Sequence, residues 1–152
     1  MANEAEYTLG TEVVMETSGA SLSDGSFAEC ADGTFNTAAV GGYPLAFVEF
    51  DTAAGGFSAA PTAGAVINVY ERAFNSAGNQ APVVDANNKS KYLGSWQIDP
   101  ADAQQYLPPM LVNISYYGAT FYVEWLDGGA GTASVDSGWV FRVTPATINP
   151  GA

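Results

Sequence analysis

The sequence predicts an all-β domain, an antiparallel β-sandwich of about eight short strands with little or no helix. Three observations carry this expectation. Apolar and polar residues alternate over short runs, as they do on a half-buried strand. No window of helical length keeps apolar residues on one helical face, and Gly or Pro interrupts nearly all of them. Between the runs stand Ser, Asp, Asn and Gly in the combinations that turns require.

The first run extends from Thr8 to Glu16, after a polar start, MANEAE. Ser23-Asp24-Gly25 then turns the chain into a second run, Ser26 to Ala31, which Asp32-Gly33 closes. Leu45 to Thr52 follows Tyr43-Pro44, and Ala65 to Phe74 follows an Ala- and Gly-rich excursion, Ala53 to Gly64, containing Pro61. A second long connection, Asn75 to Ser90 with Pro82, leads into Lys91 to Asp99. Met110 to Tyr117, Thr120 to Leu126 and Gly138 to Thr144 complete the set. Asp127-Gly128-Gly129 and Asp136-Ser137-Gly138 tolerate positive φ and, with the two earlier turns, read as hairpin ends.

Alternation assigns faces. Tyr92, Trp96 and Ile98 share a side with Gly94, against Leu93, Ser95, Gln97 and Asp99. Phe121, Val123 and Trp125 oppose Tyr122 and Glu124; Trp139, Phe141 and Val143 oppose Val140, Arg142 and Thr144. Each Trp thus lies on the more apolar side of its strand, where burial stabilises by about 1.5–3 kcal/mol per large side chain. At 152 residues the chain suits one domain, taken as 7–148, with an N-terminal arm at 1–6 and a tail at 149–152.

Composition narrows the function. Sixteen acids against four bases give a formal charge of −12, which disfavours direct contact with nucleic acid or an anionic membrane and points to neutral or basic partners. One cysteine, Cys30, allows no intrachain disulfide. MANEAEYTLG has neither the basic nor the apolar segment of a secretory leader, so synthesis and folding in a cytoplasm are expected, and the sequons at Asn88 and Asn113 carry little weight.

Catalytic signatures are weak. The chain has no histidine, which removes the usual Ser–His and Cys–His pairs, and Cys30 sits between Glu29 and Asp32, neighbours that raise a thiol's pKa. Zinc lacks its ligands. Asp85, Asn87 and Asn88 invite comparison with a calcium loop, but Lys89 stands where a third oxygen is needed, and a polar turn is the better reading. Glu49 with Asp51, and Glu124 with Asp127, are spaced like paired carboxylates, yet a solvent-facing sheet produces such pairs unaided. Tyr106, Tyr116, Tyr117, Tyr122 and Trp125 offer a sugar-stacking platform, against which periodicity favours core packing. No catalytic residue, cofactor or metal site is therefore assigned.

Several stretches together resemble the small structural proteins that decorate or cement the capsids of tailed bacteriophages. They are Glu16 to Ser21, Tyr43-Pro44, the strand Ile67 to Arg72, the segment Asn88 to Ser95, and the closing Gly138-Trp139-Val140 strand that runs to Thr144-Pro145. The resemblance implies a jelly-roll-like sandwich on the outside of the virion head. Its partner is then the major capsid protein, and it assembles as a dimer or trimer, without enzymatic activity. The contacts expected on this basis are Asn3, Glu4 and Glu6 in the arm with Tyr7 just after it, and Asn87, Asn88 and Lys89 in the long connection with Lys91 just after it. The two lysines have two readings, a solvated turn that protects a strand edge or a dock for an acidic patch on a capsid subunit or a neighbouring copy. An alternative class is a surface glycan-binding module or a tail or head-fibre component.

Overall fold

Nine strands form in chain order: β1 (Glu6–Leu9), β2 (Val13–Gly19), β3 (Phe27–Phe35), β4 (Leu45–Asp51), β5 (Val66–Ala73), β6 (Tyr92–Gln97), β7 (Tyr106–Asn113), β8 (Ala119–Leu126) and β9 (Trp139–Asn149). The computed structural model describes residues 6–35, 43–89, 91–129 and 131–149, and among these there is no helix, hence none long and apolar enough to cross a membrane. Two antiparallel sheets face one another as a β-sandwich. One runs β3-β8-β5-β6; the other runs β1-β9-β4-β7, with β2 also paired to β9.

The core fills the space between the sheets, and the apolar sides predicted for β8 and β9 face into it: Phe121, Val123, Trp125, Trp139, Phe141 and Val143 are all buried. Trp96 and Ile98 join them. Phe50 stacks on Trp139 with ring centroids 5.2 Å apart. A buried indole N–H needs a partner. Trp96, Trp125 and Trp139 donate theirs to the carbonyls of Pro108, Ala133 and Ala20 at 2.8, 2.8 and 2.7 Å.

Four expectations are corrected. The Thr8 to Glu16 run is two strands, because Pro145 in central strand β9 has no N–H to give to the edge strand beside it. The chain breaks opposite it, between Leu9 and Val13, leaving Gly10 N–H on the Pro145 carbonyl at 2.8 Å. At Tyr92 a bulge shifts the register between Val69 and Tyr70, so Leu93 packs on the core while Tyr92 turns outward beside Tyr70. Strand β7 starts at Tyr106, ahead of the expected Met110, because Pro108 and Pro109 are tolerated in a bulge on an edge strand, and it ends at Asn113. Finally, Asp32-Gly33 lies inside β3 at an irregularity, and the turns at Asp24-Gly25 and at 127–138 are arches between sheets. Among the described strands only β5 and β6 are consecutive and paired, and the longest connection joins them. Turn chemistry reverses a chain but does not say whether its two arms will pair.

Candidate interaction surface

Sheet β3-β8-β5-β6 carries a polar network that the strand pairing assembles. Asn68 lies directly opposite Glu124, and Tyr70 opposite Tyr122. The connection after β5 folds back over this outer face, burying Val84 against Tyr70 and Tyr122, with Phe27 at the margin. Lys89 Nζ donates to Glu124 Oε1 at 2.7 Å; Tyr70 OH and Asn68 Nδ2 donate to Oε2 at 2.7 and 2.9 Å. Burial pushes the Glu124 carboxyl up, but these three hydrogen bonds together outweigh it and hold the group below the usual carboxylate range. Lys89 also stands over the Phe27 ring, 5.4 Å from its centre.

Lys91 enters the same kind of arrangement at one end of the core. Glu71 follows Ile67 and Val69 on the inner side of β5, and it is only 1% exposed. Its Oε1 accepts the Ser115 N–H at 2.6 Å, and its Oε2 pairs with Lys91, whose ammonium also donates to Ser115 Oγ at 3.2 Å. Both lysines are therefore bound to carboxylates of their own chain, a role that neither sequence reading contained. A signal existed: an acid at an inward position of an apolar strand needs a cation to join it.

The other expected contacts separate. Asn3 and Glu4 lie outside the described residues. Glu6 and Tyr7 belong to β1, paired with Asn149 and Ile148, so the residue assigned to the arm and the first residue of the tail are strand residues. Asp85 Oδ1 accepts the Asn87 and Asn88 N–H groups at 2.7 and 2.9 Å, while Asn88 Nδ2 donates to the Val83 carbonyl at 2.8 Å, closing a compact polar turn.

One further expectation is overturned and another holds in part. Glu124 and Asp127 are 2% and 0% exposed, so they do not sit on a wet face. Asp127 instead ties two loops to the sheet end, its Oδ1 accepting from Thr62 N–H at 2.8 Å and its Oδ2 from Thr132 and Ala133 N–H, both at 3.0 Å. Core packing, expected for the five aromatics, holds for Tyr122 and Trp125, which are buried, whereas Tyr106, Tyr116 and Tyr117 are exposed. Tyr116 and Tyr117 meet at 89°, edge to face, which does not make a flat stacking surface.

On the opposite side of the sandwich the outward face of β1, β4, β7 and β9 is apolar around Tyr7, Leu9, Phe47, Leu111 and Ile148, with Glu49, Asp51 and Arg142 further along β4 and β9. Register aligns Tyr7 with Ile148, and Phe47 with both Thr144 and Leu111. Tyr7 lies edge-on to Phe47 at 5.6 Å. Tyr7, Leu9, Leu111 and Ile148 are 44, 57, 39 and 47% exposed, a contiguous patch of the kind that marks interaction surfaces on soluble proteins. Leu9, Phe47, Pro109 and Thr144, with Glu49, line a cavity of about 250 Å³ within it. Of the contacts expected from sequence, Tyr7 is the one that belongs to this patch. The rest of it was hidden because its residues come from four strands that are distant in the chain.

Cations are scarce around it. Arg142 is bound to Asp51, with Glu12 at 3.9 Å, and on the other sheet Arg72 reaches Glu29 at 3.8 Å. With the two lysines, all four bases of the chain are engaged internally. Comparison with family models, with curated proteins and with solved structures gives no match.

Proposed function

We propose that this chain is a non-enzymatic structural protein of a virion, a capsid decoration or cement protein that binds the outside of a tailed-phage head and ties neighbouring capsomers together. The observation that carries the reading is the exposed apolar face around Tyr7, Leu9, Phe47, Leu111 and Ile148, which a partner's surface would cover. The major capsid protein is that partner, and the chain acts as a dimer or trimer whose copies engage several capsomers at once, multiplying modest contacts through avidity. The outer edge of β1 offers main-chain groups to an incoming strand as well.

Strand order supports the jelly-roll part of this reading. With β1 and β2 counted as one interrupted strand, the orders 1/2-9-4-7 and 3-8-5-6 are those of an eight-stranded double-sheet jelly roll. The test is co-sedimentation of the purified protein with undecorated heads, followed by the heads' resistance to heat. Binding and protection are expected, and both should fall in a Leu9→Ser, Leu111→Ser variant that keeps its near-ultraviolet spectrum. Heads that neither bind nor gain heat resistance would remove the proposal. A glycan-binding module is the second reading, resting on the exposure of Tyr106, Tyr116 and Tyr117, although these rings form no single flat platform. Binding on a glycan array that is lost on replacing these three tyrosines would establish it in place of the cement.

A further inference from the structure

The cavity on the apolar face has features that select its occupant. At about 250 Å³ it is smaller than the roughly 300–1,000 Å³ of pockets that enclose drug-sized ligands, so its size suits one side chain. Leu9, Phe47 and Pro109 make its walls apolar, and its charged group is the Glu49 carboxylate. Glu49 lies opposite Arg142 across the β4–β9 pairing and within reach of its charge, but the Arg142 guanidinium is bound to Asp51, and among the described residues Glu49 forms no ion pair within 4 Å. A half-buried carboxylate beside apolar walls is met best by a side chain that is apolar along its stem and positive at its tip.

A second copy of this chain is a poor source of that group. Its four bases are already engaged by its own carboxylates, so a copy has no spare cation to offer. A basic side chain of a different protein is the better match.

We propose that this cavity receives a lysine or arginine side chain of the partner protein, with the stem against Leu9, Phe47 and Pro109 and the charged end on Glu49. The inference rests on reading this face as the docking face, and it adds the partner's chemistry: an extended segment presenting a basic residue among apolar ones.

The test needs no capsid. Acetyl-Val-Lys-Val-amide and its uncharged analogue acetyl-Val-norleucine-Val-amide are titrated into the ¹⁵N-labelled full chain, wild type and Glu49→Gln, and amide shifts of Phe47 and Glu49 (or Gln at 49) are followed. Saturable shifts at these amides are expected, with wild type preferring the lysine peptide roughly fivefold, a preference absent in the variant and reduced by salt. Equal binding of the two peptides to wild type, an unchanged preference in Glu49→Gln, or no saturable shift would each overturn the proposal. The outcomes are separable from head binding. Heads bound by a protein with no lysine preference leave the docking face and remove this occupant; a lysine preference in a protein that ignores heads does the reverse.

Discussion

Replacing Lys89 with Met keeps the apolar stem over Phe27 but takes the cation from Glu124, whose carboxylate is 2% exposed and stays in place with two neutral donors, Tyr70 OH and Asn68 Nδ2. Removing one partner of a fully buried ion pair destabilises by about 3–5 kcal/mol. Here the Lys89 side chain is 43% exposed, so solvent screens part of the interaction. The loss of one hydrogen bond to a charged group, about 1.5–3 kcal/mol, is the better guide. In a chain of this size that lowers Tm by roughly 3–12 °C. Equilibrium urea unfolding at pH 7 and pH 3 measures it. Glu124 is held below its unfolded value of about 4.3, so the stability it contributes is present above that pH and is lost as pH falls through the folded value. The Lys89→Met deficit should therefore be full at pH 7 and shrink towards pH 3, and Lys89→Arg should retain most of the wild-type stability. A deficit under about 0.5 kcal/mol at pH 7, or one equal at both pH values, would refute the clamp.

Three further outcomes follow from the same structure. Asp127→Ala leaves the Thr62, Thr132 and Ala133 N–H groups without their acceptor and should lose about 3 kcal/mol or more in urea unfolding. Burial raises the Asp127 carboxyl but the three N–H groups outweigh it, so wild type should lose stability as pH drops below about 4 while the variant lacks that component. Gly19→Ala places a Cβ 1.9 Å from Cε2 of the fully buried Trp139, and about 3 kcal/mol of destabilisation with a shifted tryptophan emission is expected from thermal melts read by fluorescence. Cys30 is fully buried, and burial, then Glu16, Glu29 and Asp32, push its thiol up; a thiol reagent at neutral pH should leave it untouched in the native protein and label one group per chain in denaturant.

Much of the sandwich was legible because strand periodicity is a local property. Alternation placed Trp96, Trp125 and Trp139 in the core, and the rise in the Cys30 pKa was foreseen from Glu29 and Asp32, although burial, the largest cause, and Glu16 come from the fold. Periodicity failed where a bulge changed its phase, as at Leu93, and where one strand's defect was imposed by another, as at Gly10 opposite Pro145.

By itself the sequence determined the all-β class, the inward residues of the central strands, the acidic surface and the lack of histidine chemistry, since each depends on residue type or near-neighbour spacing. The tertiary structure decided what those residues meet. It joined Lys89 to Glu124 across 35 positions, and it built an apolar face from Tyr7, Phe47, Leu111 and Ile148. Strand order sets these meetings, and strand order follows from the packing of two whole sheets, which turn residues and alternation do not encode.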